Sequence, residues 1–517
     1  MKITQKYLTL IIITLFTVGC TEDFLDRQPL DQEVSSTFYQ TEEQAMQALV
    51  SIYDAMQYQS SPGVSWAPFM AMSEILSDDA FAGGGDANDG KDEDEFNLFN
   101  IPTTNVIVHS LWLKNYTGIY RANLYLEIID GIDTSDEFKA RTSAEAKFMR
   151  AYFHFELARF FENIPMLTAT IKSTSEYSQT QNTPEEVYNQ IAKDLVEAIV
   201  DLPEFLPEEG KGRISKWAAQ AMLGRVYLFY NGVYGSDLVA GDVTIDRAKA
   251  LEYLEDMIAR SGHDLLPDYS KVFKLESEYS VENVFEIGHG DSPAWWDWGY
   301  VRGGEGNLSA QMMGPRVTRS NKWDRGWSFG TVTQGLFEQL ENDPRLSSSI
   351  LQESDLDGTL GIGYQHTGYY SNKYTSDAEH WGADGQFEHN RTNNYRVIRH
   401  SDVLLMAAEL GSASAQNYLD DVRARVGLGS VPVNLDNIYN ERRVELALEG
   451  IRYFDVLRRG LGYANNALSM TGERGPNFVG DQQLFDVTFN MATKGFLPIP
   501  QVEIDLSNNV FIQNLGY

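Results

Sequence analysis

The sequence predicts a mostly α fold with little β structure: a tetratricopeptide-like helical scaffold that carries a large irregular, loop-rich region. Two observations predict the helices. Apolar residues recur at helical spacing behind helix-start signals over much of the chain, and several of the helical stretches are spaced like pairs. No strict repeat motif accompanies them. A third observation predicts the irregular region. Two segments, about 59–107 and 262–398, lose the periodicity and fill with Gly, Ser, Asn, Asp and aromatic residues. Irregular segments of that length are usually functional or disordered, and their aromatic content argues against disorder.

The chain opens with Lys2 and Lys6, then the apolar run "YLTLIIITLFTV", which is too short to span a bilayer comfortably, then "VGC". A small residue before a cysteine at the end of such a run resembles a bacterial lipobox. Cys20 is then the cleaved and lipidated N-terminus, although Thr17 stands where Leu is usual. Residues 1–19 read as a lipoprotein signal peptide and 20–517 as a single domain. Cys20 is the only cysteine, so no intrachain disulfide forms. "TEDF" follows it, and an acidic pair there resembles a surface-export signal of Bacteroidetes lipoproteins.

The helices follow in order. "TEEQAMQALVSIYDAM" begins with Thr41 and Gln44 in capping-box spacing, and Ala45, Leu49, Ile52 and Met56 share one face. "TPEEVYNQIAKDLVEAIVDLP" pairs Thr183 as N-cap with Pro184 at the first position and Glu186 closing the box. Further helices are expected near 108–131, 143–162, 215–231, 246–260, 399–410, 414–426 and 437–458. In the last of these, Val444, Leu448, Ile451 and Phe454 form an apolar face, while Glu445, Glu449 and Arg452 have spacing suited to an ion-paired network. A catalytic carboxylate pair is the alternative for Glu445 and Glu449; charges so spaced on an Arg-rich helix are far more often structural. Phe148, Tyr152 and Phe155 read as core. Pro498 and Pro500 are expected to fix an extended terminal segment.

Charge narrows the partners. Lys and Arg total 41 against 74 Asp and Glu, a net of −33, which repels nucleic acid and anionic lipid at long range. There is no HExxH, CxxC or GxxxxGK[ST], the eight His residues show no ligand spacing, and Ser292 lacks a G-x-S-x-G elbow. No cofactor is implied. "GGGDANDGKDEDE" (83–95) tempts a Ca²⁺ reading, but Gly90 falls where an EF-hand needs an oxygen ligand, so a solvated acidic loop is favoured.

Six stretches in one order carry a resemblance to a known family: "AEAKFMRAYFHFELARFFENIPM" (144–166), "GRISKWAAQAMLGRVYLFY" (212–230), "YRVIRHSDVLLMAAEL" (395–410), "YLDDVRARVGL" (418–428), "NERRVELALEGIRYFDVLRRG" (440–460) and "GFLPIPQVEI" (495–504). Together they resemble the SusD/RagB outer-membrane lipoproteins of Bacteroidetes. The resemblance implies a tetratricopeptide-like scaffold with an irregular insertion and no catalytic activity. It also implies lipid anchoring on the extracellular face of the outer membrane, capture of a glycan or sometimes a peptide, and a SusC-like TonB-dependent transporter as partner.

The candidate ligand contacts lie in the irregular segments. "SPAWWDWGYVRGG" (292–304) packs three tryptophans into four positions with neither helical nor alternating spacing. Flat rings bury the C–H faces of sugars at small entropic cost, while Asp, Asn and Arg bond the hydroxyls. Asp291, Trp295, Trp296, Asp297, Trp298, Tyr300, Arg302 and Asn307 supply both in one segment. Trp66, Asp78, Asp79, Asn88 and Asp89 supply them in the other, and "NKWDRGW" (321–327), with Trp323 and Trp327, is a third candidate. Some of these rings are expected to cover a small core of their own. On an acidic chain the expected ligand is a neutral glucan such as a laminarin-like β-glucan. A peptide ligand and a surface glycosidase are the competing readings.

Overall fold

The structure, a computed structural model, describes residues 39–59, 68–173, 176, 179–290, 306–323, 325–381, 391–473 and 485–517. Residues 1–19, read as a signal peptide, and Cys20 lie outside the described residues, as do Trp66 and the run 291–305.

The scaffold is a succession of helices, each packed on the next. Glu42–Gln57 lies on Val106–Ile128, which lies on Asp136–Phe161, then Pro184–Asp201, Lys216–Tyr234 and Arg247–Arg260. The series resumes far along the chain, where His400–Glu409 packs on Arg247–Arg260 and then on Ala415–Ala424. The local signals act as expected. Thr41 with Gln44, and Thr183 with Glu186, form reciprocal capping boxes, and Pro184 occupies the first turn. Phe148, Tyr152 and Phe155 are core residues. Pro500 sits directly before a short helix, Gln501–Leu506, so the closing segment is extended only up to that point.

The expected helix over 437–458 is two helices, Leu435–Glu445 and Arg452–Leu457. Between them Leu448 and Gly450 take left-handed backbone, with φ of 62° and 78°. Tertiary bonds take the groups a continuous helix would use. Gly450 N donates to Glu74 at 2.5 Å, and the Glu445 carbonyl accepts from Lys373 Nζ at 2.9 Å. The expected single apolar face over Val444 to Phe454 is therefore divided by the turn. The ion-paired network exists, with different partners. Glu445 meets Arg345, Arg399 and Arg425, Glu449 meets Lys373 and Arg399, and Arg452 instead meets Asp78.

The irregular segments are less bare than expected. They hold short helices, among them Phe69–Ile75, Lys91–Asn97 and Leu308–Met313, and small two-stranded sheets. The second segment is cinched at its base by antiparallel pairing of Asn283–Ile287 with Tyr395–Arg399. The first segment packs on the second. Phe81 N donates to Thr331 O at 2.8 Å, and Gly84 N to Ser328 O at 2.7 Å. Gly83, at φ 72°, is required there, because a Cβ would stand 2.2 Å from Ser328 O.

Glu74, in the short helix Phe69–Ile75, is fully buried. Burial above all, then the neighbouring Asp79, pushes its carboxyl up from 4.5 to about 8. A carboxyl raised by folding adds stability that is full below its unfolded value and is lost as pH rises through its folded value. The melting temperature is therefore expected to fall between about pH 5 and about pH 8, with a shallower fall in Glu74→Gln. An unchanged slope in that variant would acquit Glu74.

Candidate functional site

The two Trp-bearing stretches leave the scaffold at one place. Gln59, the last described residue before 60–67, donates from its side chain toward His289 Nε2 at 3.1 Å and accepts from Ser309 N at 3.0 Å. Two residues earlier, Gln57 Nε2 donates to Gly288 O at 2.6 Å. His289 and Ser309 flank the stretch 291–305 on either side. Three elements build this junction: the end of helix Glu42–Gln57, the end of strand Asn283–Ile287 and the start of helix Leu308–Met313. His289 is pinned further by its backbone N–H, which donates to Asn394 Oδ1 at 2.9 Å. His289 and its partner Gln59 are 230 positions apart, so no local signal in the sequence marks the pair.

Of the expected contacts, Trp66, Asp291, Trp295, Trp296, Asp297, Trp298, Tyr300 and Arg302 lie outside the described residues. Those that are described divide sharply. Asp79 is 0% exposed and takes both bonds of Arg443, at 2.6 and 3.0 Å. It is a buried counter-ion rather than a ligand contact. Burial pushes its carboxyl up more than Arg443 draws it down. Asp78 is likewise held by Arg452 and Arg443; burial opposes its ionisation, and the two arginines overcome that and lower it. Asn307 is buried too, capping the next helix and bonding Asn393 O. Trp323, 3% exposed, belongs to a satellite core with Val317, Leu351 and Tyr370. Trp327 is half-buried against the main core.

Asn88 and Asp89 do face solvent. Asp86 accepts from the N–H groups of Asn88 and Asp89, which lowers its carboxyl, and Asp89 pairs with Arg316 at 2.8 Å. The acidic run beyond them opens helix Lys91–Asn97 with Asp92, Glu93 and Asp94 in its first turn, where burial pushes the Glu93 carboxyl up to about 7. Among the described residues no group of three or more His, Cys, Asp or Glu is arranged to hold a metal ion. Nor is any described helix long and apolar enough to cross a membrane.

A stacked-helix scaffold carries an irregular inserted region, and the described residues that flank both aromatic stretches meet at one junction on it. Family models match the chain. One described as "Starch-binding associating with outer membrane" matches residues 23–228, and the SusD family model matches 357–517. The chain belongs to the SusD family. It is similar to a solved laminarin-binding SusD-like protein, with 32% identity, 93% of this chain and 100% of that one covered, and a TM-score of 0.79. It is similar also to surface glycan-binding protein A of Bacteroides thetaiotaomicron, solved with laminarihexaose, at 28% identity over 92% of this chain and 99% of that one, with a TM-score of 0.78. SusD-like protein P2 of Formosa agariphila is 28% identical over 99% of this chain and 100% of its own length.

Proposed function

We propose that this chain is a non-catalytic lipoprotein of the outer-membrane surface that captures a neutral glycan and passes it to a SusC-like TonB-dependent transporter. The ligand is a β-glucan of the laminarin type, held by Trp66 on one side and by Trp295, Trp296, Trp298, Tyr300 and Asp291 on the other, with Asn88 at the rim. The observation that carries this reading is the junction of Gln57 and Gln59 with Gly288, His289 and Ser309, from which both aromatic stretches depart. Fold alone does not specify a ligand. The laminarin-binding relative and the surface glycan-binding protein solved with laminarihexaose add support for the sugar class. Against catalysis stands the burial of Glu445 and Glu449 among arginines and a lysine, out of reach of any polymer.

Electrophoresis of the mature chain through gels containing laminarin, a mannan or an anionic algal polymer tests this. Retardation by laminarin alone is expected. Retardation by none of them, with binding to peptides, would favour the peptide reading, and released reducing ends would favour a glycosidase. Anchoring rests on Cys20. Cys20→Ala should move the chain from the membrane fraction to the soluble one, and continued membrane attachment would refute the lipid anchor.

A further inference from the structure

A groove of about 630 Å³ runs along helix Val106–Ile128, apart from the junction that carries the aromatic stretches. Trp112, Tyr116 and Tyr120, each four residues on from the last, share one face of that helix and line the groove. Leu167 adds to its wall from the stretch after helix Asp136–Phe161, and Leu506 and Phe511 add to it from near the end of the chain. Tyr120 is 53% exposed and Leu506 66%. Three polar groups on the walls already have partners. Tyr116 donates its hydroxyl to Pro165 O at 2.8 Å, Asn123 donates from its amide nitrogen to Leu167 O at 2.9 Å, and Glu503 pairs with His109 at 2.9 Å. The groove therefore offers ring and methyl surface above all. Apolar surface left open on this scale marks a place that something covers.

The start of the described chain points to the occupant. It begins at Tyr39, directly before helix Glu42–Gln57, which packs on Val106–Ile128. Burial raises the Tyr39 phenol, and the phenol of Tyr120 is near enough to raise it further. Tyr120 lines the groove, so the chain enters the described structure at the groove's mouth. The residues before it, "TEDFLDRQPLDQEVSSTF" (21–38), include Phe24, Leu25, Leu30, Val34 and Phe38. Neighbouring side chains of an extended segment point to opposite sides, so Phe24 and Leu25 offer apolar surface both ways. Pro29 favours extended backbone at Gln28. The reach is ample: residues 25–39 span up to about 50 Å when extended, against about 12 Å of helix between Trp112 and Tyr120. The family model that matches the front of the chain begins at residue 23, so the segment belongs to the domain's own sequence.

We propose that segment 21–38 docks in this groove, entering past Tyr120 and burying Phe24 and Leu25 against Trp112, Leu506 and Phe511. The docking needs neither a lipid on Cys20 nor a glycan, so it stands apart from the proposed function. Its consequence for an anchored chain is geometric: the helical scaffold is held close to the anchor instead of hanging on a free tether.

The mature chain carrying Cys20→Ala is treated with trypsin, and cleavage after Arg27 is followed by intact mass. Slow cleavage is expected. Leu25→Ser removes an apolar contact from the segment, and Leu506→Glu places a charge on the exposed groove wall without touching the core. Each should speed the cut about tenfold, the worth of part of one buried leucine. A second measurement uses Leu25→Cys with Leu506→Cys, in a chain that has no other cysteine once Cys20 is replaced. The pair should close a disulfide within one chain about tenfold faster than Leu25→Cys with Leu435→Cys, because docking raises the local concentration only at the groove. Equal cleavage in all three chains, or acceleration by Leu25→Ser alone, would overturn the proposal. So would equal disulfide rates, or disulfides that join two chains, which would give the groove to a second copy.

Discussion

Glu445→Ala is expected to lose about 3–5 kcal/mol of stability, the cost of leaving buried charges without their counter-ion. Glu445 is 0% exposed and faces three arginines, Arg345, Arg399 and Arg425. Burial opposes its ionisation, yet Arg425, Arg399 and Arg345 together hold its carboxyl well below the usual range. Arg399 is equally buried and also bonds Glu282 and Glu449, so the loss propagates through a connected network. An exposed pair such as Lys249 with Glu252 gives the contrast, since Lys249→Ala should cost under about 1 kcal/mol. Urea unfolding of both variants checks this, and a loss in Glu445→Ala no larger than in Lys249→Ala would sink it. The same residue tests catalysis. If Glu445→Gln abolished a hydrolysis seen in the parent chain, the non-catalytic reading would fail.

What sequence alone conveyed follows the range of each interaction. Helix starts were legible because Thr41 with Gln44, and Thr183 with Glu186, are three residues apart and signal locally. The turn that divides 437–458 was not, because its causes are Glu74 and Lys373, both far away in sequence. Asp79 looked like a loop hydrogen-bonder for the same reason: its partner Arg443 is 364 positions distant. Trp323 resembled the other aromatic candidates in composition, and only the packing of Val317, Leu351 and Tyr370 around it reveals a core residue. The run 83–95 read as a solvated acidic loop; residues 86–89 are exposed, whereas Lys91–Asn97 is a helix in which Glu93 is buried. The aromatic stretches were conspicuous by composition, yet the junction of Gln59 with His289 and Ser309 is a tertiary fact.

Trp66→Ala and Trp296→Ala are each expected to weaken laminarin binding by about 1–3 kcal/mol, by analogy with truncated aromatic anchors at interfaces. That is roughly five- to two-hundredfold, enough to end visible retardation of a weak binder in the gel. Trp295 and Trp296 point to opposite sides if their backbone is extended, so one of the two should matter far more than the other. Melting temperatures should not move, because a ring that stacks on ligand adds little to the core. The junction gives a second, gentler test. Gln59→Leu removes the side-chain bonds to His289 and Ser309 while sparing every ring, so it should weaken binding less than loss of a tryptophan. Normal binding by both Trp66→Ala and Trp296→Ala would send the search to the half-buried Trp327, since Trp323 is committed to its own core. Unfolding of both would instead make these rings core residues, and the glycan face would have to be sought elsewhere on the insertion.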